Sequence, residues 1–123
     1  MADAGVTVVA EMVFPAQTNH HGTLFAGEAL RLLSMAAFIA ASRDAHKHVV
    51  LASIEKTDFL KPVPHGALAE VLARVVDRGS ASLVVALELF SENVQTGERT
   101  LCVTGRITMV TVGADGRPAP RIS

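Results

Sequence analysis

The sequence predicts an α+β fold in which a curved antiparallel β-sheet wraps one long central α-helix. Three observations carry that expectation. From Leu24 to Ala41 the only polar residues are Glu28, Arg31 and Ser34, spaced i, i+3 along one side of a helix. A helix apolar around most of its circumference must be enclosed, and this one is too short and too interrupted by charge to span a bilayer. Second, the rest of the chain reads as strands separated by glycine and proline. Third, Ala67, Ala69, Val71, Ala73 and Val75 alternate with a face that carries Glu70, Arg74 and Arg78. Small residues on one face let a sheet curve closely around a helix.

Val6–Val13, rich in β-branched residues, is the first strand, stopped by Phe14-Pro15. Pro15 to Gly22 is a loop, and Thr23 is the expected N-cap of the helix. The helix ends near Arg43-Asp44, where His46, Lys47 and His48 place positive charge at the negative end of the dipole. Val49–Leu60 is the second strand, stopped by Lys61-Pro62-Val63-Pro64, and Gly66 marks a turn. Ala67–Arg78, Leu83–Phe90 and Arg99–Val112 complete the sheet in meander order. Gly79-Ser80 and Asn93 to Gly97 supply the turns, and Gly105 is a possible bend or bulge. The chain is expected to be a single domain over 1–123, with 113–123 a loosely ordered tail.

The 123 residues allow a sizeable core, and half of them are hydrophobic. With five phenylalanines and no tyrosine or tryptophan, that core is aliphatic. A formal charge of −1 without a Lys/Arg cluster argues against nucleic acid. So neutral and apolar a chain is expected to bury surface in an oligomer. Cys102, the lone cysteine, sits in a strand-like run and reads as a small buried hydrophobe. The N-terminal MADAGVTVVAE has no basic stretch followed by a long apolar one, so a cytoplasmic protein is expected, with no membrane partner.

Several residues invite a chemical reading. Glu28 is expected to pair with Arg31 rather than to act as a base. His20 and His21 stand in the loop before the helix, either as a base or as structural and solvent-facing residues. His46 and His48 lack a third ligand for a metal site.

The stretches PAQTNHHGTLFAGEAL, VVLASIEKTDFLKPVPHG, RGSASL and TMVTVGADGRPAP fall in one order and spacing over nearly the whole chain. Together they resemble the hot-dog-fold acyl-CoA thioesterases, in particular the bacterial acyl-CoA hydrolase group and its cytosolic animal relatives. The resemblance implies a homodimer whose two sheets join edge to edge, assembled further as a trimer of dimers, with active sites at the dimer interface. It implies that Asn19 orients the attacking water or the thioester, and that the backbone N–H groups of Ala26 and Gly27 polarise the thioester carbonyl. It places the phosphates and pantetheine of coenzyme A near Lys61, Arg78, Gly79, Ser80 and Ser82, which read otherwise as solvated turn residues.

Aligned from Pro15 without gaps, the family's helix aspartate falls on Ser34; Leu51 stands where a threonine is usual and Ala67 where an aspartate is usual. A serine hydroxyl is too weakly basic to serve as a general base, although it can hold a water or attack when a base lies beside it. The leading expectation is therefore hydrolysis of acyl-CoA to free acid and CoA, with no metal and no cofactor beyond the CoA of the substrate. The alternative is a hot-dog protein that binds CoA or acyl-CoA with weak or no hydrolysis, because the usual helix Asp is Ser34. A hydratase or dehydratase would need a histidine over the acyl chain, and none lies within the helix or strands.

Overall fold

The computed structural model describes residues 5–121. Strand β1 (Val6–Met12) leads through a short 3-10 turn (Pro15–Gln17) into helix α1 (Ala26–Ala45). Strands β2 (Val49–Phe59), β3 (Leu68–Arg78), β4 (Ser82–Glu92) and β5 (Arg99–Thr111) follow. They form one five-stranded sheet in the order β1-β3-β4-β5-β2, antiparallel throughout.

That order corrects the expected meander. Only β3, β4 and β5 follow one another across the sheet. β2 lies at the far edge beside β5, with Val49 opposite Thr111 and Phe59 opposite Val103. The segment after β2 carries Pro62 and Pro64, which cannot continue a ladder, so the chain crosses over and starts β3 on the other side. β1 then occupies the free side of β3, with Val6 opposite Arg74.

The helix seats itself on the sheet through small residues. Its buried face is Ala29, Leu32, Leu33, Ala36, Ala37, Ala40 and Ala41. Opposite lie Ala69, Val71 and Ala73 of β3 and the β4 positions Leu83, Val85, Leu87 and Leu89, all buried. Register shifts on β2–β5, β3–β4 and β4–β5 bend the sheet. None falls at Gly105, which pairs in register with Thr57 and Leu87. A Cβ added at Gly105 would lie 3.4 Å from Lys56 O and 3.8 Å from Leu33 Cδ1, so this glycine marks close packing of helix and strands rather than a bulge.

The helix also starts later than expected. Its N-cap is Phe25, not Thr23, and Phe25 makes no side-chain capping bond. At the other end His46 adopts φ 54° and its N–H donates to Ser42 O, a left-handed cap. Beyond β5 the chain turns back: Ala119 N–H donates to Thr111 O at 2.9 Å and Arg121 N–H to Ser80 O at 2.6 Å. Among the described residues no helix is long and apolar enough to cross a membrane.

One side of α1 stays uncovered by its own sheet. Phe25 (56% exposed), Met35 and Phe38 (50%) face outward. Beside them Leu51, Ile54 and Phe59 of β2 lie opposite the buried Met109, Ile107 and Val103, on the helix side of the sheet, yet remain exposed.

Ala37 is fully buried in the helix–sheet seam. Ala37→Leu forces extra volume into that seam and is expected to destabilise the fold by about 1–3 kcal/mol, read from the denaturant midpoint. An unchanged midpoint would mean that the seam holds spare room.

Candidate active site

The loop from Thr18 to Leu24 is closed on itself and clamped to the segment after β2. Thr18 bridges Leu24, Asn19 N–H donates to Thr23 O at 2.8 Å, and Gly22 N–H donates to Asn19 O at 3.0 Å. Gly22 has φ +76°, a conformation that a side chain would strain. Leu24 N–H donates to Val63 O at 2.7 Å and His65 N–H to Gly22 O at 3.2 Å. This clamp holds Asn19 beside the helix start.

The orientation of the Asn19 carboxamide is decided by its partners. Its Oδ1 accepts from His21 N–H at 2.9 Å, Thr23 N–H at 3.3 Å and the Thr23 hydroxyl at 3.2 Å. Two of these donors are backbone amides, so the atom they meet must be the oxygen. The two protons on Nδ2 are left for a ligand. Thr23, expected as a helix cap, instead fixes Asn19.

At the helix start, Glu28 N–H (2.9 Å) and Ala29 N–H (3.1 Å) both donate to Phe25 O. The N–H groups of Ala26 and Gly27 precede that ladder, and no side chain caps them. They are exposed at the positive end of a 20-residue helix. Next to them opens an apolar cavity of about 250 Å³ lined by Leu24, Ala29, Phe59, Val63 and Val103, with Lys61 as its charged residue. Asn19, Ala26, Gly27 and Lys61 thus share one end of the molecule.

The remaining expected site residues lie elsewhere in the same chain. Ser34 is half-buried and sits about 10–12 Å further along the helix axis than Gly27 and Ala26. Arg78, Gly79, Ser80 and Ser82 stand at the C-terminal end of α1, roughly 30 Å from its start. There Arg78 Nε donates to Asp44 Oδ2 at 2.9 Å, and Gly79 N–H donates to Ser82 O at 2.9 Å. Arg43, Arg74 and Arg78 line a cavity of about 450 Å³ with Thr7 and Asp44. Arg43 was not singled out from the sequence, because only the packing of the end of α1 against β3 brings it to the cavity that Arg74 and Arg78 line.

Glu28 is committed, as expected, to Arg31: Arg31 Nε donates to Glu28 Oε1 at 3.1 Å. Sequence spacing gave no sign of the second pair, Arg31 Nη2 to Glu11 Oε1 at 2.7 Å, which spans 20 residues. The His20 and His21 rings lie 3.9 Å apart and both are exposed. Cys102 is fully buried, and that burial pushes its thiol up, away from the reactive thiolate. Among the described residues no group of three or more His, Cys, Asp or Glu could hold a metal ion.

Residues 21–98 match the sequence family described as the thioesterase superfamily. The chain is 35% identical over 108 residues to an acyl-CoA thioester hydrolase of Bacillus subtilis (strain 168) described as uncharacterized. That match covers 88% of this chain but 63% of the relative, so the chain spans less than two thirds of its length. Among solved structures, an apo hexameric acyl-CoA thioesterase superposes with a TM-score of 0.91 at 36% identity, covering 94% of this chain and 74% of that one. An acyl-CoA hydrolase of Staphylococcus aureus in complex with butyryl coenzyme A, coenzyme A and coenzyme A disulfide superposes with a TM-score of 0.89 at 30% identity. It covers 94% of this chain and 71% of that one.

Two carboxylates near this machinery are held below the usual carboxylate range by guanidinium partners, Glu11 by Arg31 and Asp44 by Arg78. A depressed carboxyl contributes stability above its unfolded value of about 4 and loses it as pH falls through the folded one. The melting temperature is therefore expected to hold between about pH 7 and 5 and to fall below about pH 4. Asp44→Asn should lower the neutral-pH value and flatten the acid fall; an acid limb identical to that of the parent protein would exclude Asp44 as a source.

Proposed function

Because the chain belongs to the thioesterase superfamily, we propose that it is an acyl-CoA thioester hydrolase working at a site shared between two copies. The observation that carries this reading is the set of donors near the helix start: two amides, Ala26 and Gly27, that no side chain caps, and an Asn19 whose carboxamide oxygen is committed to the loop. Three N–H donors at one end of the helix suit a carbonyl oxygen that gains negative charge. Such donors are each worth about 3–4 kcal/mol when water is excluded. Water adds to the thioester carbonyl, the C–S bond breaks, and CoA leaves as a thiolate that takes up a proton.

The second copy follows from the geometry of one chain. Phe25, Met35 and Phe38 of α1, with Leu51, Ile54 and Phe59 of β2, form a continuous apolar face and sheet edge that a like face would cover. Antiparallel pairing of two helices brings the arginine-rich end of one beside the amide end of the other. The guanidinium groups of Arg43, Arg74 and Arg78 that line this cavity then suit CoA phosphates, with Lys61 contributing from the other copy. Assembly of such dimers in threes is supported by the hexameric neighbour. The reaction needs no cofactor beyond the CoA of its substrate. An unpaired buried thiol suits a reducing cytoplasm.

Ser34 sets the rate. Without a general base the attacking water forgoes an acceleration of about 10²–10⁴-fold. Free-thiol release from a panel of acyl-CoAs is expected to be measurable but slow, and Ser34→Asp is expected to raise kcat. Asn19→Asp keeps the acceptor that orders the loop, removes the donor, and is expected to lower kcat by about 10²-fold or more. CoA binding by calorimetry with no thiol release in either the parent or Ser34→Asp would replace hydrolysis with binding alone.

Phe38→Glu places a charge in the centre of the apolar face. It is expected to shift the species seen by sedimentation from hexamer or dimer toward monomer and to abolish thiol release with it. An active monomer would refute the shared site.

A further inference from the structure

The 3-10 turn just before Asn19 is held by one side chain that reaches three elements. Gln17 Oε1 accepts from Phe14 N–H at 3.0 Å. Its Nε2 lies 3.5 Å from Glu11 Oε1 on β1 and 3.4 Å from Glu28 Oε1 in the first turn of α1. Its main-chain carbonyl accepts from Phe25 N–H at 2.9 Å. Arg31 closes the ring, with Nη2 2.7 Å and Nη1 3.3 Å from the Glu11 carboxylate and Nε 3.1 Å from Glu28. Two carboxylates that would repel are thus held on either side of a carboxamide and a guanidinium.

The ring holds the 3-10 turn whose main chain meets the start of the helix at Phe25. The Phe25 N–H is taken by Gln17 O, and the Phe25 carbonyl is taken by Glu28 and Ala29 N–H inside the helix. A trans peptide is planar, so a carbonyl pinned toward the helix sends the Ala26 N–H the opposite way, out toward the ligand. The Phe25 N–H lies in the preceding peptide and meets the Gln17 main-chain carbonyl, so the Gln17 side chain acts on the Ala26 N–H by holding the 3-10 turn that carries this carbonyl.

We propose that Gln17 is a positioning residue for the thioester site: through Glu11, Glu28 and Arg31 it holds the Phe25–Ala26 peptide so that the Ala26 and Gly27 amides converge with Asn19. The inference rests on the thioesterase reading. It separates from plain scaffolding by magnitude. The Nε2 contacts are long, Arg31 and Glu11 are partly exposed, and such contacts contribute little to stability. A donor misaimed by a fraction of an ångström, by contrast, loses much of its effect on the transition state.

The test uses the full chain and two variants. Gln17→Leu keeps the volume and loses the polar contacts; it is expected to lower kcat about tenfold or more, with KM for acyl-CoA and the Kd for CoA within about twofold of the parent values. Gln17→Glu keeps the acceptor for Phe14 N–H but sets a third carboxylate against Glu11 and Glu28, and should lower kcat likewise. Adding Glu28→Gln to Gln17→Glu restores a donor between the two side chains and should recover at least half of the loss. A kcat for Gln17→Leu within twofold of the parent, or a fall matched by equal losses in KM and CoA affinity, would overturn the proposal. If neither the parent protein nor Ser34→Asp releases thiol, the thioesterase reading fails and the brace is judged by NMR instead. Displaced amide resonances of Ala26 and Gly27 in Gln17→Leu then uphold it, and unmoved ones overturn it.

Discussion

Seven buried residues, five of them alanine, hold α1 against the sheet, and the rest of the molecule depends on that narrow seam. Alanine faces on α1 and β3 let the backbones approach, and Gly105 on β5 removes the Cβ that would otherwise meet Leu33 and the β2 backbone. Interiors are packed to crystal density, so small side chains on one face of a helix leave the large ones to the other. Phe25, Met35 and Phe38 therefore point away from the sheet, and the same seam that closes the core creates the exposed apolar face proposed to receive a second copy.

The helix start shows a second consequence of local chemistry. A serine or aspartate at the cap would satisfy the first amides internally and stabilise the helix by about 1 kcal/mol. Phe25 has no acceptor to offer, and Thr23, two residues earlier, spends its hydroxyl on Asn19. The cost of the missing cap is offset by the clamp of Leu24 to Val63 and of Phe25 to Gln17. What results is a cluster of donors with no general base among them. In the proposed hydrolysis such a cluster stabilises an oxyanion well and activates water poorly, as expected with Ser34 in place of a carboxylate.

Much of the architecture was legible in the sequence, because periodicity is local. The apolar run of α1, the alternation of β3 and the glycine turns each declare themselves within a dozen residues. The position of β2 did not, since strand order depends on where a proline-rich crossover lands rather than on the strand itself. The helix cap was misplaced for a related reason. Thr23 has the right side chain, but the bridges of Thr18 to Leu24 and Thr23 to Pro64 hold it in the loop. The brace at Gln17 was invisible, because Glu11 and Arg31 are 20 residues apart and meet only once β1 and α1 pack together. The role of Ser34 is legible only against the family motif; by itself it is a polar residue in a helix.

The placement of charge along α1 ties these features to assembly. At the positive end of the dipole Glu28 shares Arg31 with Glu11, and no side chain caps the first amides, so these stay available to an electron-rich oxygen. The negative end gathers Arg43 and, on β3, Arg74 and Arg78, and all three line a cavity beside it. In one chain these two ends are separated by the whole helix. In the proposed dimer, two helices laid antiparallel cancel their dipoles and set the arginines of one next to the uncapped amides of the other. On that proposal a ligand with phosphates at one end and a thioester at the other bridges the junction, and a folded monomer holds only half of what such a substrate needs.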